Sequence, residues 1–374
     1  MRCTDALPAV DDRTDRWPVR LAIFHDYLET IGGAERVVLL LARHFDADLV
    51  TTTFDADLPA RAGFPDVRVV SLGGLRRGPP MKQLDASWKF SRCRFPGYDM
   101  YLFSGNWAHF AATRHRPNAY YCHTPTRVFY DQKAAVLGRL PAHRRLVARS
   151  WIALHSAWER RSVGRCERIV ANSENVRERI RRYYGREATV VYPPAPTSRF
   201  RYREIGGPWL AVTRLYPEKR IELLLDAFRR LPDERLDIVG GYSKGDRAEG
   251  YVASLRPPSN VRFLGEVPED VLLDLYSRCR GFVTAATDED FGLTPVEAMA
   301  SGKCVLATDE GGHRETILEG RTGFLLPPDP EAFVRCIREL DDATLTSMRD
   351  ACIVQARRFD ESAFLGAMES ILRR

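Results

Sequence analysis

The stretch Trp209-Leu-Ala-Val-Thr-Arg-Leu-Tyr-Pro-Glu-Lys-Arg-Ile-Glu-Leu-Leu-Leu-Asp-Ala-Phe-Arg-Arg-Leu231 sets the reading of the fold. Residues 209–213 form a short apolar run of strand type. Residues 218–231 carry apolar side chains at helical spacing. The turn between them holds two cations, Arg214 and Lys219. A buried strand, a polar turn and an amphipathic helix make up half of a βαβ unit. The alternation continues downstream, with strands predicted at 236–239, 261–264, 281–286, 304–307 and 323–326 and helices at 270–279 and 294–300. Upstream, the same pattern gives strands at 19–24, 48–54, 67–72, 98–104, 118–123, 168–171 and 188–192, with a helix over 34–45. Apolar runs bounded by turn residues, with helices between them, indicate parallel sheets covered on both faces.

Pro193, Pro194 and Pro196 interrupt the pattern, and the polar segment 202–208 carries Gly206 and Gly207. A linker is expected there. The chain therefore reads as α/β, with two doubly wound domains facing a cleft. The expected organisation is a disordered tail over 1–18, an N-terminal domain over 19–204 and a C-terminal domain over 205–358. A final helix over 359–374 would return to the N-terminal domain.

Composition narrows the function. The chain has 374 residues, 44% hydrophobic and 10% aromatic, which excludes a mainly disordered chain and a scaffold that needs disulfides to fold. The net charge of +6, from 56 basic and 50 acidic residues, is too mild to indicate nucleic-acid binding. The excess is local. Residues 139–186 hold 13 Arg against four Glu, or +9, so the remainder sums to −3. Leu146, Val147, Trp151, Ile152, Leu154 and Trp158 are interleaved with these arginines. Such a stretch is either a core-facing helix with a solvated Arg face or a surface that lies on anionic lipid. No apolar run approaches the length of a membrane span, and the first 18 residues lack the apolar core of a signal peptide. The eight cysteines form no CxxC and read as buried, reduced thiols. Together these features predict a cytoplasmic protein, either free or peripheral on the inner face of the membrane.

In open α/β sheets, ligands bind at the carboxyl ends of the strands. Arg214 and Lys219 follow the strand at 209–213, where a diphosphate would meet both cations and the N–H groups of a helix start. The segment Glu289-Asp-Phe-Gly-Leu-Thr-Pro-Val-Glu297 follows the strand at 281–286. Phe291, Gly292 and Leu293 form its turn. Thr294, Pro295 and Glu297 spell a capping box, which gives Glu297 a structural role beside any contact with a ribose. Glu289 lies outside the helix and is assigned to a ligand. Glu310-Gly311-Gly312-His313-Arg314-Glu315 follows the next strand, and its glycines either line the ligand or make the turn. In the first half, His25 and Asp26 stand at the sheet edge, and Gly32 and Gly33 precede a helix as a phosphate-approach loop would. His123, in His123-Thr-Pro125, follows the strand at 118–122. Asp55-Ala-Asp57 has the spacing of a metal motif without its context, so no metal is expected.

Taken together, these motifs resemble glycosyltransferase family 4: Gly-Gly-Ala-Glu-Arg at 32–36, Arg-Leu-Tyr-Pro-Glu-Lys at 214–219 and Val-Gly-Gly at 239–241, with Glu-Asp-Phe-Gly-Leu-Thr-Pro-Val-Glu-Ala-Met-Ala-Ser-Gly at 289–302 and Gly-Gly-His-Arg-Glu at 311–315. The resemblance implies a GT-B fold of two Rossmann-like domains and a retaining, metal-independent transferase. Its donor would be a nucleotide-diphosphate sugar, and no cofactor is implied. Arg214 and Lys219 would hold the diphosphate, Glu289 and His123 would stand near the transferred sugar, and the amides around Phe291, Gly292 and Leu293 would hold its hydroxyls. Glu297 would bind the ribose, and Gly32 and Gly33 would admit the phosphates. Tyr-Cys-His-Thr-Pro-Thr-Arg-Val-Phe-Tyr-Asp at 121–131 is similar to O-antigen-type mannosyltransferases, although Thr126 stands where that subgroup carries a bulky apolar residue. The expected reaction is transfer of a hexose, mannose from GDP-mannose, to a glycan or polyprenyl-linked acceptor in cell-surface polysaccharide synthesis. An epimerase or phosphorylase on the same fold, and an inactive sugar-nucleotide-binding module, are the alternatives.

Overall fold

The computed structural model describes residues 18–75, 78, 80–242 and 248–373. The tail expected over 1–18 lies, apart from Pro18, outside them. The chain forms two compact units, 1–120 with 161–167 and 121–160 with 168–374. The linker expected near 205 falls inside the second unit. There the backbone of Arg203 and Gly207 donates to the carbonyls of Ser277 and Arg278, and the Tyr202 ring lies under the Lys303 and Arg349 cations.

The first sheet is built from β1 (Leu21–His25), β2 (Asp48–Thr51), β3 (Val69–Ser71), β4 (Met100–Ser104), β5 (Asn118–Cys122), β6 (Arg168–Ala171) and β7 (Thr189–Val190). Its strand order is β3-β2-β1-β4-β5-β6-β7. β1 pairs in parallel with β2 and β4, placing Phe24 beside Val50 and Phe103. The connecting helices are α1 (Gly33–Phe45), α2 (Leu58–Arg61), α3 (Met81–Arg92), α4 (Lys133–Gly138), α5 (Ala142–Val163) and α6 (Glu174–Tyr184).

The second sheet holds β8 (Trp209–Val212), β9 (Leu236–Val239), β10 (Val261–Gly265), β11 (Phe282–Thr284), β12 (Val305–Thr308) and β13 (Gly323–Leu326), in the order β10-β9-β8-β11-β12-β13. Its helices are α7 (Ile221–Arg229), α8 (Ala248–Ser254), α9 (Glu269–Arg278), α10 (Leu293–Ala300), α11 (His313–Thr316), α12 (Pro330–Glu339), α13 (Asp342–Ser347), α14 (Arg349–Arg357) and α15 (Glu361–Leu372). Both sheets are parallel and wound by helices, as the sequence pattern predicts. The strands are covered on both faces, which is why they read as unbroken apolar runs: β9 and β12 are buried at every position. α7 shows the matching logic for a covering helix, burying Ile221, Leu224, Leu225 and Phe228 while Glu222, Asp226 and Arg229 face water.

Two expectations need correction. The helix predicted over 218–231 begins at Ile221. Pro217–Lys219 make a 3₁₀ turn, and Arg220 adopts the left-handed region at φ 47°, which breaks the helical path before it starts. The capping box at Thr294 does not form either. Gly292, at φ 91°, turns the chain so that α10 starts at Leu293. Thr294 thus lies inside the helix, where it cannot act as its N-cap.

α15 returns to the end of β5 and to β6. Phe364 packs edge-on against Tyr121 at 5.8 Å, and Arg168 donates to the Ile371 carbonyl at 2.5 Å. The two tryptophans of α5 face inward. Trp151 packs on Phe129 and His155, and Trp158 on His155. Its large exposed apolar residues are Leu146, Val147 and Leu154. Seven described cysteines are free thiols, and five of them are buried.

Candidate active site

The loop after β8 brings Lys219 to the loop after β11, and the Lys219 ammonium donates to the Glu289 carboxylate. Burial alone would raise the Glu289 pKa. The adjacent Lys219 charge and hydrogen bond outweigh it, aided by His313 and Arg127, and hold the group down at about 2. Glu289 is therefore ionised at neutral pH. Lys219 has three N–H donors, and one is spent on this contact, so the others remain available to an incoming anion. Arg214 is exposed, with its guanidinium over the Tyr216 ring at 5.4 Å and no hydrogen bond or ion pair through its side chain among the described residues. The expected helix-start amides are partly taken: the Ile221 N–H donates to the Tyr251 hydroxyl at 3.0 Å.

The strand-end loops are knitted together around Glu289. Thr287 N–H donates to the Glu218 carbonyl at 2.8 Å, and Gly312 N–H to the Glu289 carbonyl at 2.8 Å. Arg220 pairs with both oxygens of Glu310 at 2.9 and 3.2 Å, and Glu310 also accepts from the Asp288 N–H at 3.1 Å. The glycine pair after β12 has a packing role. A Cβ on Gly311 would stand 2.4 Å from the Glu289 carbonyl oxygen, and one on Gly312 would stand 2.4 Å from the Phe291 Cα. Phe291 is buried against Tyr192 and Phe359. His313 is also buried, with Nδ1 3.1 Å from the Thr308 carbonyl oxygen, and burial lowers its pKa.

Residues of the first half of the sequence that fall in the same compact unit reach this loop. Arg179 on α6 is 7% exposed, pairs with Asp290 and stands 2.9 Å from the Asp288 carboxylate. It also donates to the Asp288 carbonyl at 2.7 Å and to the Thr124 hydroxyl at 2.8 Å. Thr124 follows His123, a half-buried residue whose ring packs edge-on against Tyr121 at 5.1 Å. Arg127 donates to the Asp288 carbonyl at 3.2 Å, and the Ser173 hydroxyl to the Asp290 carbonyl at 2.6 Å. Asn175 donates to the Glu289 carbonyl at 2.9 Å. Glu315 accepts the N–H groups of Glu174 and Asn175 at 2.7 and 2.8 Å, placing a carboxylate at the positive end of α6.

Glu297 sits on α10 and accepts from the buried Tyr276 hydroxyl at 2.8 Å, which replaces the expected capping contact. Leu293 opens that helix. Gly32 and Gly33 belong to the other unit, where Gly32 is the extended residue before α1 and Gly33 its first residue. In that unit, His25 lies 3.2 Å from the Ser104 hydroxyl and 3.8 Å from Glu35. Asp26 accepts three backbone N–H groups, from Asn106, Trp107 and Ala108, and so fixes a turn. Asp55 accepts from the Asp57 N–H at 3.0 Å and pairs with Arg61 at 2.5 Å, a local turn contact.

Of the residues singled out from the sequence, Lys219 and Glu289 touch, and Phe291 and Gly292 frame them. The sequence reading missed Arg179, Ser173, Asn175 and Arg220, and it weighed the 310–315 segment for its glycines rather than for Glu310 and Glu315. Only the serine carried a usable signal, as an N-cap following a strand.

Comparison with known proteins identifies the family and the fold. Residues 31–199 match the family described as Glycosyltransferase Family 4, and residues 208–359 match Glycosyl transferases group 1. The chain is 31% identical over 221 residues to a D-inositol 3-phosphate glycosyltransferase of Streptomyces avermitilis, covering 51% of this chain and 48% of that protein. It thus spans about half the length of that curated relative. It is 29% identical over 167 residues to the alpha-1,3/1,6-mannosyltransferase alg2 of Schizosaccharomyces pombe, covering 36% of this chain and 33% of that one. The fold is shared with Anabaena Alr3699/HepE, solved in complex with UDP and glucose, at a TM-score of 0.72 and 19% identity over 95% of this chain and 99% of that one.

Proposed function

Because the chain belongs to glycosyltransferase family 4, with its GT-B fold, we propose that it is a retaining, metal-independent hexosyltransferase. The donor is a nucleotide-diphosphate sugar, mannose from GDP-mannose, and the acceptor is a glycan or polyprenyl-linked glycan in cell-surface polysaccharide synthesis. The observation that carries this reading is the Lys219–Glu289 pair at two adjacent strand ends, an ionised carboxylate beside a cation with donors to spare. The mannosyltransferase relative supports the choice of sugar.

The chemistry follows from these residues. Lys219 and Arg214 bind the diphosphate and stabilise the charge that grows as the anomeric C–O bond breaks, an electrostatic contribution that needs no reorganisation at the moment of reaction. The bond's electron pair leaves with the nucleoside diphosphate. The acceptor hydroxyl oxygen then bonds to the anomeric carbon on the same face, and its proton passes to the departing phosphate oxygen. Glu289, held ionised, faces the electron-poor sugar, and His123 orients it. The amides of Phe291, Gly292 and Leu293 hold sugar hydroxyls. Glu297, aligned by Tyr276, takes the ribose.

Peripheral attachment to the inner face of the membrane is part of this reading. Its support is the exposed apolar row Leu146, Val147 and Leu154 on α5, set among exposed Arg144, Arg149, Arg160 and Arg161. Among the described residues no helix is long and apolar enough to cross a membrane.

The test is to incubate the protein and EDTA with GDP-mannose or UDP-glucose, with and without a membrane-lipid extract. The expected result is nucleoside diphosphate released from GDP-mannose only when acceptor is present, with the anomeric configuration kept. Sugar isomerisation without acceptor would make it an epimerase. Nucleotide binding without turnover would make it a binding module.

A further inference from the structure

A cavity of about 490 Å³ opens beside α4 and α5, lined by Tyr130, Asp131, Lys133, Leu137, Arg145 and Arg149 among others. Its charge is lopsided. Asp131, the one carboxylate in the lining, is already bound by Arg127 at 2.8 Å. Lys133 and Arg149 make no hydrogen bond or ion pair through their side chains among the described residues. Arg145 spends Nε and one Nη on the carbonyls of Leu137 and Leu140, both at 3.1 Å, and keeps its other Nη free. The remaining wall is fixed in place. The Tyr130 hydroxyl donates to the buried Glu159 at 2.7 Å, and its ring stacks on Tyr183 at 4.5 Å. Three cations in one cavity lining repel each other, and charge-assisted contacts to a phosphate are a strong way to offset this.

We propose that this cavity binds the phosphate or diphosphate group of the acceptor. The inference rests on the transferase reading and deepens it by naming the acceptor's chemistry. Two features connect the cavity to that role. The Arg127–Asp131 pair joins its wall to the loop that carries Glu289, through the bond from Arg127 to the Asp288 carbonyl. On α5, the exposed Leu146 stands about 60° round the helix from Arg149, so an apolar chain leaving the cavity past Arg149 would cover it. A soluble sugar phosphate shares the head-group chemistry but makes no use of this face.

The test is calorimetric titration of the whole chain saturated with GDP or UDP, which fills the donor site. Inorganic pyrophosphate and farnesyl diphosphate are the two probes. Pyrophosphate is expected to bind the saturated protein, and the Lys133→Ala/Arg149→Ala double variant is expected to bind it about tenfold or more weakly. The variant's stabilisation by GDP or UDP should be unchanged, showing that it is folded with an intact donor site. Tighter binding of farnesyl diphosphate than of pyrophosphate, lost in Leu146→Ser, would identify a lipid-linked acceptor. Equal binding of the two probes would identify a soluble phosphate. Absence of pyrophosphate binding to the nucleotide-saturated protein, or equal binding by the double variant, overturns the proposal. Absence of nucleotide binding overturns the donor-site reading instead.

Discussion

Arg179 stands 2.9 Å from the Asp288 carboxylate, although 109 residues separate them in the chain. The same guanidinium pairs with Asp290 and bonds Thr124, so one side chain ties α6 and the His123 loop to the loop bearing Glu289. Replacing it with alanine removes the nearer of two cations from both carboxylates and leaves the Asp288 carbonyl to Arg127 alone. Because the carboxylates are partly exposed, water recovers some of the cost. Arg179→Ala should lower stability by about 2 kcal/mol, read as a shift in urea midpoint at constant slope. An unchanged midpoint would show that the contact does not contribute to the folded state.

In the proposed reaction, Lys219 acts on charge that develops in the transition state. If it resembles an oxyanion donor, Lys219→Ala should lower the turnover rate by about 10²–10³-fold. A near-wild-type rate would sink the donor-site assignment.

The Lys219–Glu289 pair also sets a pH signature. Glu289 is depressed in the folded state to about 2, below its ordinary value near 4.5, so its contribution to stability is complete above pH 4.5. That contribution is lost as pH falls toward 2. Acid unfolding of Glu289→Gln should be less steep across this window, and the activity profile between pH 5 and 8 should show no ionisation of Glu289.

Glu159 on α5 has the opposite sign. It is fully buried, and desolvation pushes it up to about 7 despite hydrogen bonds from Tyr130 and Tyr184. Its favourable contribution is complete below pH 4.5 and is lost as pH rises through about 7. Glu159→Gln should therefore flatten the fall in melting temperature between pH 5 and 8. A wild-type slope in the variant would refute this account.

Tyr276 holds Glu297 by a single hydrogen bond of 2.8 Å. Tyr276→Phe removes about 1 kcal/mol of orientation, so GDP should bind about fivefold more weakly. Full affinity would remove Glu297 from the ribose site.

The sequence carried the architecture well. Strands such as β9 and β12 are buried on both faces, so the apolar run and the strand are the same signal. It also carried Lys219 and Glu289, because strand ends are where a parallel sheet presents ligands. Helix starts were harder to place. They turned on backbone states, φ 47° at Arg220 and φ 91° at Gly292, and at Arg220 no residue preference announces such a state. Arg179 and Arg220 stayed hidden for another reason. Each is one charge among many, and what distinguishes it is a partner 90 or more residues away.

The glycines at 311 and 312 have a consequence for engineering. Because their backbone rests directly on that of Glu289 and Phe291, the two strand-end loops form one transplantable part. A donor-specificity graft that swaps 287–292 alone would set a foreign surface against 309–313. A graft that carries both segments keeps the seam between them.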